Sequence, residues 1–293
     1  MSKGFLTLAV GVLEENIRHS YALALSIKAS DPAAEICVVV DDGDTDNIPS
    51  RYLHAFDYIS ELPFGNTAHS DGFYAANLWQ IYHASPFDQT IYLDSDMLFL
   101  NVQVSLLWDR FAGNYMSIPA VARTFRNVPT NKNSSLFEFE NAYHLPSLFN
   151  SMIYFDSTRE ETAQWFKLAD PIFQNWRNTY NAMFKDKKPD SFRKNLLCNI
   201  VTFLMDEENE IKIHVPFMYD FHTHSQHMWS NDVPYNWTDM LNTWYTKQHQ
   251  LIVENSSITH GIIHYRDKKF LTEEIINAIR HLARSKEKRK TAA

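Results

Sequence analysis

Glycine is scarce in this chain of 293 residues, with 7 in all, where ordinary usage would give roughly three times as many. Neither a Walker pattern nor GxGxxG appears, which excludes the familiar glycine-rich loops that cradle phosphate on backbone amides. Cysteine is equally sparse. Cys37 and Cys198 lie in the apolar runs EICVVV and LLCNIV, so they read as buried free thiols of a reducing, cytoplasmic compartment rather than as a disulfide. Positive charge is short as well. With 27 Lys and Arg against 35 Asp and Glu, the net charge is −8 and the pI about 5.9, which argues against nucleic acid as a partner because that requires a basic face. Between Arg51 and Arg110 there is no lysine or arginine at all. Long hydrophobic runs are missing too: none approaches the roughly 18 residues of a membrane span. The first twenty residues lack an uninterrupted apolar signal core, so the sequons at Asn133, Asn236 and Asn255 are expected to stay unmodified.

An apolar fraction of 45% on a chain of this length is that of a globular protein with a full core. Its first third alternates in βαβ order. Phe5 to Val12 reads as a short strand, Asn16 as the cap of a helix over Ile17 to Lys28, and Ile36 to Val40 as a buried strand ending in Asp41-Asp42. A short strand at Asp57 to Ile59, a helix over Tyr74 to His83 and a strand at Ile91 to Leu93 follow. This is an α/β pattern, a Rossmann-like sheet flanked by helices. In such sheets ligands bind beyond the carboxyl ends of the strands, where Val10-Gly11, Asp41-Asp42 and Asp94-Asp96 all fall.

Thr90-Ile91-Tyr92-Leu93-Asp94-Ser95-Asp96 is the most informative stretch. Two carboxylates one residue apart at the end of a buried strand need a neutralising partner. Asp-x-Asp there can hold one hard divalent ion, leaving positions open for water or a diphosphate; the bare tripeptide also occurs as a solvated turn. The run Asp42-Gly43-Asp44-Thr45-Asp46 is no calcium loop of the EF-hand kind, since counting from Asp42 puts Asn47 and Leu53 where glycine and glutamate are needed. It reads as a solvated turn, or as a place where Asp41 or Asp42 grips a ribose or base.

The second half is less regular. Phe149 to Asp156 is a turn leading into a strand, Leu196 to Met205 an apolar helix, and Ile211 to Phe217 a further strand. Tyr219 to Tyr245 holds three tryptophans together with His222, His224 and His227. It is either an irregular loop or an aromatic wall for a sugar ring, and a zinc site there would need Asp220 as fourth ligand. Gly261 to Phe270 delivers His264 and then a basic turn, so His264 could complete a metal shell with Asp94 and Asp96, and Lys268 or Lys269 could meet a phosphate. Thr272 to Ala283 carries one apolar helical stripe, followed by the basic run Arg284 to Lys290. That end reads as a packed helix with a frayed tail, weak contact with an anionic membrane being the alternative.

Taken together, LTLAVG with ALSIK, FDYISEL, YLDSDMLFL with LLWDR, LFNSMIYFD, KIHVPFMYD, and IIHY followed by two lysines resemble the GT-A glycosyltransferases of family 8, the family of glycogenin and the bacterial lipopolysaccharide galactosyltransferases. The likeness spans most of residues 5 to 270. It implies one GT-A domain over residues 1–270, with 1–105 as nucleotide-binding half and 106–270 as acceptor-side half, and residues 271–293 as a C-terminal helix and tail. It implies manganese or magnesium on Asp94, Asp96 and His264, and a nucleotide-sugar, UDP-linked, as co-substrate. Ala9, Val10 and Gly11 would line the nucleoside pocket with Asp41 and Ser95 beside them. Lys268 or Lys269 would touch the leaving diphosphate, and Asn150 would face the transferred hexose, in the catalytic set with the two aspartates. The implied reaction retains anomeric configuration, the leaving phosphate taking the acceptor's proton, and the acceptor would be a carbohydrate, a lipid-linked sugar or a protein.

The chain departs from that pattern at three places. HYRDKKF lacks the family's glycine and has a shorter gap between histidine and lysine. The family's basic residue before the metal strand falls near the uncharged Asn77, and its Asp-Gln pair beside the sugar falls near Leu197, Cys198 and Asn199. Two other readings compete: a nucleotidyltransferase, which usually carries a basic glycine-rich loop after the first strand, and a non-catalytic sugar-nucleotide or carbohydrate-binding protein.

Overall fold

The computed structural model describes residues 1–68, 74–125, 127, 129–130, 137–185, 188–221, 243–246, 250–254 and 256–291. The opening βαβ unit is β1 (Lys3–Leu8), α1 (Leu13–Ser30) and β2 (Ile36–Val40), with Phe5 opposite Ile36 in a parallel pair. Helix α1 begins ahead of the expected Ile17, and Asn16 is not its cap. Its amide donates instead to the Val10 carbonyl at 2.7 Å, while Glu14 and Glu15 in the first turn complement the positive end of the helix. A short helix α2 (Ser50–Leu53) leads to β3 (Tyr58–Glu61), parallel to β2. The helix expected over Tyr74 to His83 is a 3-10 stretch, Tyr74–Gln80, running into α3 (Ile81–Ala84). Its polar side chains serve the preceding loop: Thr67 donates its backbone N–H to Asn77 Oδ1, and Gln80 Nε2 donates to the Gly65 carbonyl.

Strand β4 (Gln89–Leu93) pairs in parallel with β1, Thr7 opposite Leu93. Then come β5 (Met97–Leu100), α4 (Val104–Phe111), β6 (Met116–Pro119), α5 (Phe137–Ala142) and β7 (Met152–Asp156). Helices α6 (Glu160–Gln174), α7 (Trp176–Met183) and α8 (Lys194–Leu204) follow, with α9 (Glu208–Ile211) and β8 (Lys212–Ile213) after them. The strand expected over Ile211 to Phe217 is thus cut to two residues. Pro216, which has no N–H to give a ladder, stands where it would have continued. The remaining elements are β9 (Met218–Asp220), β10 (Thr243–Tyr245), β11 (Leu251–Val253), β12 (Ser256–Ile258), β13 (Gly261–His264) and α10 (Glu273–Thr291).

A mixed seven-stranded sheet has the order β3-β2-β1-β4-β7-β6-β8, its parallel start meeting the antiparallel β7 beside β4. A second sheet, β5-β13-β9, is built on the chain that leaves β4. Alternate residues of the large sheet enter two cores, as a period of two requires. Phe5, Val38, Ile91 and Leu93 pack with α1, α4, α10 and the second sheet. Leu6, Val39, Tyr92 and Phe155 pack with α6 and α8, around a fully buried Trp165. Trp165→Ala would cost about 3–5 kcal/mol on the scale of large aromatic deletions.

Helix α10 lies on α1, burying Ile275, Ile276 and Ile279, and Arg280 Nε donates to Tyr21 Oη at 3.0 Å. The helix continues through the basic run to Thr291. Lysine, arginine and glutamate are good helix formers, and cations suit a helix C-terminus.

Candidate active site

The parallel strands β1 and β4 end side by side, Thr7 opposite Leu93. There a cleft of about 260 Å³ is lined by residues that include Val10, Asn16, His19, Tyr74, Tyr92, Asp94, Ser95, Asp96, Lys194 and Lys268. Gly11 follows β1 with φ of +96°, and a Cβ there would lie 2.5 Å from the Tyr74 ring. Both facts demand glycine. Its N–H donates to Asp41 Oδ2 at 2.7 Å, so Asp41 ties the end of β2 to the end of β1. Burial raises the Asp41 carboxyl above its ordinary value and the Gly11 N–H partly offsets it.

Asp94, Ser95 and Asp96 are the three residues between β4 and β5. The second sheet brings a third ligand to them by register. His264 lies opposite Met97 across the antiparallel pair of β13 with β5, and opposite Asp220 across the parallel pair with β9. His264 Nε2 consequently sits 2.9 Å from Asp96 Oδ1 and 3.9 Å from Asp94 Oδ2, with the ring 3% exposed. One ligand atom from each of Asp94, Asp96 and His264 lies within 4.8 Å of the others. Two carboxylates and one imidazole at this spacing fit a hard or borderline divalent ion such as Mn²⁺ or Mg²⁺.

The surroundings orient these groups. Asp220 Oδ1 stands 3.5 Å from His264 Nδ1, a buried nitrogen without an aligned hydrogen bond, and Arg266 holds the same carboxylate with Nε at 2.7 Å. A carboxylate behind a ligating imidazole fixes its ring and raises its basicity. Burial alone would raise the Asp96 carboxyl. The charge and hydrogen bond of His264, with Arg266 and Lys194 farther off, outweigh it and hold Asp96 well below the usual carboxylate range. On the other side Asp94 Oδ1 accepts the Tyr92 hydroxyl at 2.7 Å, and Lys194 Nζ lies 2.6 Å from both Asp94 oxygens. Under the cleft, His19 Nδ1 and Tyr265 Oη share a hydrogen bond of 2.5 Å. Burial pushes the His19 imidazole down to about 4, so the ring is neutral at physiological pH.

Of the other sequence candidates, Ser95 and Val10 line the cleft and Ala9 is buried next to it. Lys268 reaches the cleft but is paired with Glu15 at 2.8 Å, an interaction that lowers the Glu15 carboxyl. Lys269 is exposed, and its backbone N–H donates to Asp267 Oδ1. Asn150 is fully buried. Its amide donates to the Asn195 carbonyl and to Asn199 Oδ1, both at 3.3 Å, so it fixes the start of α8. Asn77 is buried and bonded to the 66–67 loop. His222, His224, His227, Trp229, Trp237 and the three sequons lie outside the described residues; Trp244 on β10 is half exposed.

Lys194, Tyr92, His19 and the Asp220–Arg266 pair escaped the sequence reading. Lys194 carried one signal, a lysine placed just ahead of an apolar helix, where its charge opposes the helix dipole.

No family model and no curated protein matches the sequence. Solved structures do match. An active-site mutant of the galactosyltransferase LgtC superposes with a TM-score of 0.52 at 13% identity, over 96% of this chain and 95% of that one. The bifunctional glycosyltransferase WbbM gives 0.51 at 11% identity, over 96% of this chain and 49% of that one. The glycosyltransferase GlyE of Streptococcus pneumoniae TIGR4 gives 0.50 at 12%, over 97% and 60%. At such identities the likeness speaks for the fold. That fold is GT-A.

Proposed function

We propose that this protein is a glycosyltransferase that moves a hexose from a UDP-linked or similar nucleotide-sugar to a carbohydrate, lipid-linked or protein acceptor, with retention of configuration. The observation that carries the reading is the meeting of Asp94 and Asp96 with His264, delivered by a different sheet, at the mouth of a cleft on the carboxyl ends of parallel strands. A divalent ion bound by these three would supply Lewis-acid stabilisation of the charge that develops on a leaving diphosphate. Residues 1–105 form the nucleotide-binding half in this reading and residues 106–270 the acceptor side.

The chain's own groups do the rest. Gly11, held by Asp41, lets the backbone after β1 approach a nucleoside closely. Asp220 and Arg266 keep the His264 ring in place. Lys268, released from the exposed Glu15, has the reach to pair with a phosphate at the cleft edge. The stretch after β1, neither glycine-rich nor basic, speaks against a nucleotidyltransferase, and product chemistry separates that class from this one. Incubation with a panel of nucleotide-sugars, with and without Mn²⁺, should release nucleoside diphosphate from one of them in a metal-dependent manner. Release of pyrophosphate from a sugar phosphate and a nucleoside triphosphate would assign the other class, and tight binding without turnover would assign a binding protein.

A further inference from the structure

Lys194 is the unexpected member of the cleft. It begins α8, a helix with no side-chain N-cap and no acidic residue in its first turn, so its charge sits at the positive end of an eleven-residue helix. That placement is unfavourable by itself. What holds the ammonium is Asp94, whose two oxygens both lie 2.6 Å from Nζ, the side chains being 14% and 16% exposed. Asn150, by gripping the Asn195 carbonyl, fixes the backbone that aims it.

Asp94 is therefore engaged on both oxygens, by the ammonium and by the Tyr92 hydroxyl. Asp96 is engaged through His264. A divalent ion bonds carboxylate oxygen at about 2.0–2.6 Å, and an ammonium on both oxygens of the same carboxylate would stand beside it as a like charge. Ion and ammonium compete for Asp94.

We propose that Lys194 is an exchangeable counter-cation. It neutralises Asp94 while no divalent ion is bound, and it leaves that carboxylate when one arrives. The freed ammonium still lines the cleft, where it faces the anionic diphosphate of a nucleotide. Lys194 is a positioning residue in this scheme: it couples the metal to the nucleotide by giving up one anion and taking another. The inference rests on the metal-site reading given above.

Mn²⁺ binding measured by electron paramagnetic resonance without nucleotide tests it in the wild type and in Lys194→Met. The neutral, similarly sized side chain should bind Mn²⁺ about tenfold tighter, the scale of one elementary charge removed from a partly screened site. With Mn²⁺ saturating, the same variant should bind UDP several-fold more weakly. A second measurement uses unaltered protein: acetylation of Lys194, mapped by peptide mass spectrometry, should rise as Mn²⁺ is titrated and fall again when UDP is added. Unchanged or weaker Mn²⁺ binding by the variant overturns the exchange, as does Lys194 reactivity indifferent to an ion that binds. Absence of Mn²⁺ binding in both proteins overturns the metal reading and the exchange with it. Binding by the variant alone overturns the exchange, since Lys194 would then block the site and not yield it.

Discussion

The two aspartates of the motif are one residue apart and live in different electrostatic worlds. Asp96 faces the second sheet, where a buried imidazole, a supporting carboxylate and a guanidinium form a connected chain through His264, Asp220 and Arg266. Asp94 faces the helical layer and is held by a lysine and a tyrosine from α8 and β4. The sheet side is built by strand register, which leaves side chains little freedom. The helix side is built by one long flexible chain that can let go. The comparison teaches that a symmetric-looking motif divides its labour, one carboxylate being kept in a fixed pair and the other in an exchangeable one.

The comparison breaks most visibly at Asp96. Asp96→Asn keeps the shape and removes a charged ligand, so metal-dependent nucleotide binding and turnover should fall by at least about a hundredfold, beyond the range seen when only an outer partner is lost. Calorimetric titration with Mn²⁺ and UDP, together with an unchanged circular dichroism spectrum, checks it; near wild-type behaviour would remove Asp96 from the site.

Next in size is a stability effect at His19, on α1 under the cleft. His19 takes up its proton near 4 in the folded protein because burial opposes the charged form, and near 6.5 once unfolded. The unfolded chain therefore binds a proton in that window that the native state refuses. Stability from this group is whole above about pH 6.5 and declines as pH falls toward 4, by roughly 3 kcal/mol in all. Urea unfolding at pH 7.5 and pH 5 should show a difference that shrinks in His19→Gln. An equal slope in wild type and variant would place the titration elsewhere.

Asp220→Asn sharpens the contrast, since it reaches the metal site through the imidazole and through Arg266. Metal affinity should drop by roughly 10- to 100-fold, while Lys194 reactivity toward acetylation in metal-free protein stays unchanged. A rise in that reactivity would mean the two sides are not separate. The smallest effect is expected farthest away: ending the chain after Arg284, beyond the buried Ile279 and Ala283, should move stability by no more than about 0.5 kcal/mol. Turnover on soluble substrates should be unaltered.

These two sides also differ in how plainly they could be read from the residues. Strand-borne features announce themselves: IleCysValValVal is buried throughout, Thr90 to Leu93 points at its aspartates, and IleIleHis at its histidine. The GT-A likeness and the Asp94, Asp96 and His264 grouping followed from such local runs. Helix-borne and register-borne features do not announce themselves. Lys194 becomes a site residue only when α8 is laid against β4, across 100 positions of chain. Asp220 does so only through the parallel pairing of β9 with β13. The start of α1 was misplaced because an asparagine that looks like a cap spends its amide on Val10, and the truncated strand at Lys212 because Pro216 outweighed an apolar run.

Three residues separate β4 from β5, and those three are the motif. The chain leaves the seven-stranded sheet at Leu93 and enters the other at Met97. Asp94 donates its N–H to the Ser151 carbonyl at 2.9 Å, beside β7, while the Asp96 carbonyl accepts the Tyr265 N–H at 3.1 Å, just past β13. Each aspartate is thereby fastened to a different sheet. Anything that bridges their side chains rivets one sheet to the other, and any tilt between the sheets changes the bite of the ligands. Amide exchange in β13, whose ladder partners are β5 and β9, should accordingly slow when the cleft fills, so that a strand more than 160 positions along the chain from the two aspartates serves as the gauge of its occupancy.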